Sequence, residues 1–170
     1  MRHSRTLRAA ALMTLAVGLA QAAPALVILV RHAERAGVMG DDPNLTAAGK
    51  QRAEELVRVL AAWKASGGKL QALFASEMKR TQETLAPLAT GGIKVTVVPA
   101  ADTAVLVKKI LAVKGGIVVV AGHSNTLPGV IQALGGPTGI TIDDNEFDRL
   151  FALTGAGGHA ALVGMRYGSH

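Results

Sequence analysis

The stretch Leu26–Val30, followed by Arg31-His32-Ala33-Glu34-Arg35, constrains this chain more than any other. Five consecutive apolar residues, mostly branched, describe a strand buried on both faces, as in a sheet covered by helices on either side. The apolar run then stops abruptly in charged residues. In an open α/β sheet, ligands bind outside the carboxyl ends of the strands. Two guanidiniums flanking one imidazole at such an edge suit a doubly charged anion such as a phosphoryl group. The imidazole could act as a nucleophile through whichever ring nitrogen is unprotonated. The same ten residues are equally compatible with a strand that opens into a solvated charged loop.

A second buried-strand pattern, Ile117–Ala121, also runs directly into a polar turn with a histidine, Gly122-His123-Ser124-Asn125. Between the two, strand and helix patterns alternate. Thr46 is placed to cap a helix whose apolar stripe is Ala53, Leu56, Val57, Leu60 and Ala61, and which Gly67-Gly68 ends. Leu70–Ala75 reads as a strand. Ser76 is expected to cap a helix from Glu77 to Ala86 that Pro87 terminates, placing Arg80 about one turn inside a helix start. Ile93–Val98 is expected as a third strand, Asp102–Val113 and Leu127–Leu134 as further helices, and Arg149–Thr154 with Ala160–Arg166 as a closing hairpin. This alternation predicts a three-layer α/β/α sandwich with a mostly parallel central sheet.

A length of 170 residues suits one domain, and the absence of cysteine excludes a disulfide frame, a thiolate nucleophile and a Cys-based zinc site. The net charge of +6 is not a nucleic-acid signature, because Arg2, Arg5 and Arg8 supply half of it and only one Tyr and one Trp are present for stacking. Those three arginines form the basic region of an expected secretory signal over residues 1–22, with Ala9–Ala20 as its apolar stretch and Ala20-Gln21-Ala22 as its cleavage site. The apolar stretch is short for a membrane span. Cleavage after Ala22 avoids placing Pro24 directly behind the scissile bond. The expected product is a single domain of residues 23–170, periplasmic or secreted, with no stable membrane association.

Three separated motifs, in order, resemble one family. Arg31-His32-Ala33-Glu34, Ser76-x-x-x-Arg80-Thr81-x-x-Thr84 and Gly122-His123-Ser124-Asn125 resemble the signatures of the histidine phosphatase (phosphoglycerate mutase-like) superfamily, and Leu45-Thr46-x-x-Gly49-x-x-Arg52 resembles its helix opening. The resemblance implies in-line attack by His32 on a phosphorylated small molecule and hydrolysis of the resulting phosphohistidine. It implies that Arg31, Arg80 and His123 bind the phosphoryl oxygens, with Arg35 as an additional phosphate-pocket arginine and His123 acting as a cation. It also implies no metal and no cofactor, since the guanidiniums replace a magnesium clamp.

Two positions depart from the pattern. Ala33 stands where the family has Gly, and Ser124 stands where one branch places its acid. In the other branch the acid lies between the second and third motifs, where Asp102 is the best-placed candidate and reads equally well as a helix N-cap. Glu34 is the runner-up, ahead of Glu77 and Glu83, while Asp144 and Glu146 lie in a later acidic loop that could meet the pocket mouth. Phosphomonoester hydrolysis is the leading expectation. An exported phosphate- or anion-binding module without turnover, and a phosphoglycerate mutase-type phosphotransferase, are the alternatives.

Overall fold

The computed structural model describes residues 23–37 and 42–168; the expected signal, and part of the loop after Arg35, lie outside the described residues. Six strands form one sheet: β1 (Leu26–Arg31), β2 (Leu70–Ala75), β3 (Val95–Val97), β4 (Ile117–Gly122), β5 (Arg149–Thr154) and β6 (Ala161–Arg166). Their spatial order is β3-β2-β4-β1-β5-β6, parallel from β3 to β1 and antiparallel through the β5–β6 hairpin. The helices are α1 (Ala47–Ala65), α2 (Lys79–Leu85), α3 (Thr103–Leu111) and α4 (Leu127–Ala133), with a 3-10 turn over Ala86–Leu88.

The period of two along the central strands sorts their side chains into two cores. Val27 and Leu29 of β1 join Val118 and Val120 of β4 and pack with Ile110 of α3 and Leu127, Val130 and Ile131 of α4. Ile28 and Val30 join Val119 and Ala121 and pack with Leu56 and Leu60 of α1 and Leu85 of α2. Burial on both faces therefore requires the unbroken apolar runs seen in β1 and β4, and it produces the three layers anticipated from them.

Two glycines let backbones approach where a side chain could not fit. A Cβ on Gly49 would lie 2.2 Å from the Glu34 carbonyl oxygen, so the first turn of α1 rests directly on the chain leaving β1. There Thr46 caps α1, its Oγ1 accepting from Gly49 N at 3.1 Å. A Cβ on Gly122 would meet Leu127 Cδ2 at 2.7 Å, so α4 packs close over the end of β4.

The boundaries differ from expectation at α2, β3 and α3. The α2 helix begins at Lys79, two residues later than expected, and Met78 rather than Ser76 holds the N-cap position, without a side-chain bond. Ser76 is drawn elsewhere, as described below. Strand β3 is only Val95–Val97 because it sits at the sheet edge and pairs on one side. Asp102 occupies the N-cap position of α3, but its carboxylate makes no capping bond. Among the described residues no helix is long and apolar enough to cross a membrane.

Candidate active site

The parallel register pairs Arg31 with Gly122, so the two residues that follow, His32 and His123, leave the sheet side by side. His32 N donates to the Gly122 carbonyl at 2.9 Å, and the two imidazoles meet edge-on with centroids 5.4 Å apart. Two histidines 91 positions apart in the chain are thus neighbours because β1 and β4 are neighbours. Arg80, near the start of α2, comes in from the end of β2 next door.

These side chains line one cleft of about 700 Å³, together with Arg35, Ser124, Asp144 and Phe147. Arg31, His32 and His123 are buried, while Arg35 is exposed at the rim. Within the cleft, His32 Nδ1 lies 2.8 Å from the Ala33 carbonyl oxygen. A carbonyl only accepts, so Nδ1 carries the proton and Nε2 is the unprotonated nitrogen. Burial pushes His32 down to about 4, helped by Arg31 and Arg80 and opposed by the bond to Ala33. Burial and then Arg80 also depress His123. The same crowding lowers the guanidiniums themselves: burial first for both Arg31 and Arg80, with Arg35 pushing further on each. The Nε atoms of Arg31 and Arg80 are buried without a hydrogen-bond partner. A buried donor left without a partner costs roughly 1–3 kcal/mol.

Three polar residues of the second motif hold this arrangement. Ser76 Oγ lies 2.9 Å from His123 Nε2 and 2.9 Å from Thr81 Oγ1, so the serine expected to cap α2 instead orients the second histidine. Thr84 Oγ1 accepts from Ala33 N at 2.9 Å and donates to the Arg80 carbonyl at 2.7 Å, which ties the loop after His32 to α2. The methyl of Ala33 is accommodated: the residue is fully buried in a small cluster with Leu45 and Ala53.

The expected acids are placed differently. The Glu34 carboxylate takes Arg52 Nε and Nη2 at 2.7–3.0 Å and faces other clefts. Asp102 is exposed and does not line the His32 cleft. Glu77 accepts from Ala100 N, Glu83 accepts from Leu45 N, and Glu146 binds Arg149 and Arg166. Among the described residues, Asp144 is the carboxylate that lines the cleft. Its Oδ1 accepts from Ser124 Oγ at 3.0 Å and lies 3.7 Å from Arg31 Nη2. Phe147 went unread in the sequence. Its ring lies 4.2 Å from the Arg31 guanidinium carbon and 5.8 Å, centroid to centroid, from His32. The only available signal was an aromatic side chain inside an acidic loop of a chain with three phenylalanines.

Fold and site together define an α/β protein with a two-histidine, multi-arginine cleft at the carboxyl ends of adjacent parallel strands. Residues 27–102 match the family model of the histidine phosphatase superfamily (branch 1). Solved structures share the fold. The protein histidine phosphatase SixA complexed with tungstate matches at TM-score 0.60 and 19% identity, over 83% of this chain and 96% of that one. The alpha-ribazole phosphatase of Shigella flexneri matches at TM-score 0.57 and 15% identity, over 83% and 96%. A mycobacterial glucosyl-3-phosphoglycerate phosphatase matches at TM-score 0.60 and 12% identity, over 84% and 97%. No curated protein matches the chain in sequence.

Proposed function

We propose that the protein is a phosphatase that hydrolyses phosphomonoesters of small molecules through a phosphohistidine on His32, without a metal or other cofactor. The observation that carries this reading is the tautomer of His32: Nδ1–H tied to the Ala33 carbonyl, with Nε2 unprotonated in a cleft that Arg31, Arg35 and Arg80 also line. In the first step the Nε2 lone pair forms a bond to phosphorus while the bond to the leaving oxygen breaks in line with it. Arg31, Arg80 and Arg35 stabilise the charge on the phosphoryl oxygens, and their guanidiniums take the part a divalent cation plays elsewhere. His123 joins them as a cation once a dianion reverses the balance that otherwise depresses it. Asp144 is the carboxylate this reading uses to protonate the leaving oxygen. In the second step water attacks phosphorus, its proton passes to that carboxylate, the P–N bond breaks and Nε2 recovers its lone pair. Removal of residues 1–22 and export to the periplasm or beyond belong to the same reading.

The test is hydrolysis of an aryl phosphate with chelator present, comparing wild type with His32→Ala. Loss of roughly 10⁴-fold or more in turnover is expected, the scale on which removal of a covalent nucleophile acts. Turnover retained by His32→Ala overturns the mechanism. Tight phosphate binding without any wild-type turnover identifies an anion-binding module instead.

A further inference from the structure

The segment Asp143–Asp148 meets Arg31 at three points. Arg31 Nη1 donates to the Asp143 carbonyl at 2.7 Å, Nη2 lies 3.7 Å from Asp144 Oδ1, and the Phe147 ring covers the guanidinium at 4.2 Å. A guanidinium on a flexible stem is useful to a phosphoryl group only when its planar fork already faces the right way. The segment is itself held from behind. Glu146 accepts from Asp143 N at 3.1 Å and binds Arg149 of β5 and Arg166 of β6, while Asp148 takes Arg166 Nη1 at 2.6 and 2.8 Å. The tether therefore runs from the closing hairpin through Glu146 to the carbonyl that Arg31 grips.

We infer that this segment is a clamp that presets the oxyanion site, with Phe147 as a positioning residue for both Arg31 and His32 and Glu146 as its anchor to the hairpin. The inference rests on the phosphatase reading of the same cleft. The ring does two things. Its face holds the Arg31 guanidinium in one plane, a cation–π contact that strengthens where water is excluded. It also lies tilted against the His32 imidazole, so removing it admits water to a group whose charged form is disfavoured chiefly by burial. The charged or titratable groups around His32 are Arg31 beside it on β1, Arg80 on α2 and His123 beyond β4, all of which disfavour its cation. Asp144 on the clamp acts on Arg31 with the opposite sign.

The test compares wild type with Phe147→Leu, Phe147→Tyr and Glu146→Ala, reading inorganic phosphate affinity and the His32 titration by ¹⁵N NMR of the free protein. For Phe147→Leu, phosphate affinity is expected to fall about tenfold and the His32 midpoint to rise by roughly one pH unit. Phe147→Tyr, which keeps the ring, should restore both. Glu146→Ala, which changes only exposed or half-exposed polar contacts, is expected to weaken phosphate about threefold with no loss of fold. Leu and Glu146→Ala variants that bind phosphate like wild type and leave the His32 midpoint unmoved overturn the clamp. The titration reads it whether or not the enzyme turns over, whereas failure of the phosphatase reading shows in His32→Ala.

Discussion

Two clusters of charge lie on either side of the Arg31–Arg35 stretch, and they are built on opposite rules. On one side Arg52 meets Glu34 through two donors, and Arg166 meets Glu146 and Asp148. Every cation there has a carboxylate at hydrogen-bond distance, and Arg52 and Arg166 are pushed up by their acidic partners. On the other side Arg31 and Arg80 sit with two histidines, and their nearest carboxylates stand 3.7 and 3.9 Å away. All four groups are pushed down, first by burial and then by neighbouring cations, which for Arg80 means Arg35. Paired charges stabilise a fold. Like charges crowded together with only distant carboxylates are an electrostatic cost that a bound anion would relieve.

The comparison is broken or sharpened most strongly by deleting one arginine from each side. Arg80→Ala should lower kcat/KM by about 10²–10³, the range for losing one oxyanion donor, without lowering the melting temperature. Arg52→Ala should do the reverse. It strands a largely buried Glu34 and the carbonyl of Tyr167, and is expected to cost about 3 kcal/mol of stability with little change in turnover by the folded fraction. If both variants lose stability alike, the two clusters do not differ in kind.

The pH dependence of stability separates them next. His32 titrates at about 4 in the folded chain against an ordinary 6.5. Between those values the unfolded chain binds more protons, so stability rises with pH through the window, is complete above 6.5 and is lost as pH falls toward 4. His123 is shifted in the same direction. Glu146 and Asp148 are depressed carboxylates, so what they contribute is lost only below the ordinary carboxylate range. Melting temperature is therefore expected to fall between pH 7 and 4.5 in wild type, and to fall less in His32→Ala. A fall of the same size in both places the sensitivity outside the histidine site. The smallest effect belongs to the Arg58–Glu55 pair on α1, where Arg58 is 71% exposed. Arg58→Ala should change stability by less than about 0.5 kcal/mol in a denaturant titration, because water already screens the pair.

How far these features could be read in advance depended on the range of the interactions behind them. The buried runs at β1 and β4 and the stripe on α1 announce their elements because burial acts on periodicity. Helix boundaries were harder where a side chain had a distant competitor. Ser76 is a good capping residue by type, yet His123, far along the chain, takes its hydroxyl. The placement of the candidate acids was out of reach for the same reason. Glu34 is next but one to His32 in sequence, but both lie beyond the end of β1, and Arg52 of α1 holds the Glu34 carboxylate away from the His32 cleft. Asp102 follows a strand as the site residues do, but β3 is the sheet edge, away from β1.

By itself the sequence determined the layers, the mostly parallel sheet and the cationic strand ends, since these follow from hydrophobic period and from the charged residue types that end it. Tertiary structure alone decided which carboxylate reaches the cleft, that Nε2 of His32 is the unprotonated nitrogen, and that Phe147 covers Arg31. Each of these turns on a contact of a few ångströms between segments brought together by strand order, and no local pattern encodes a distance between residues that only folding makes neighbours.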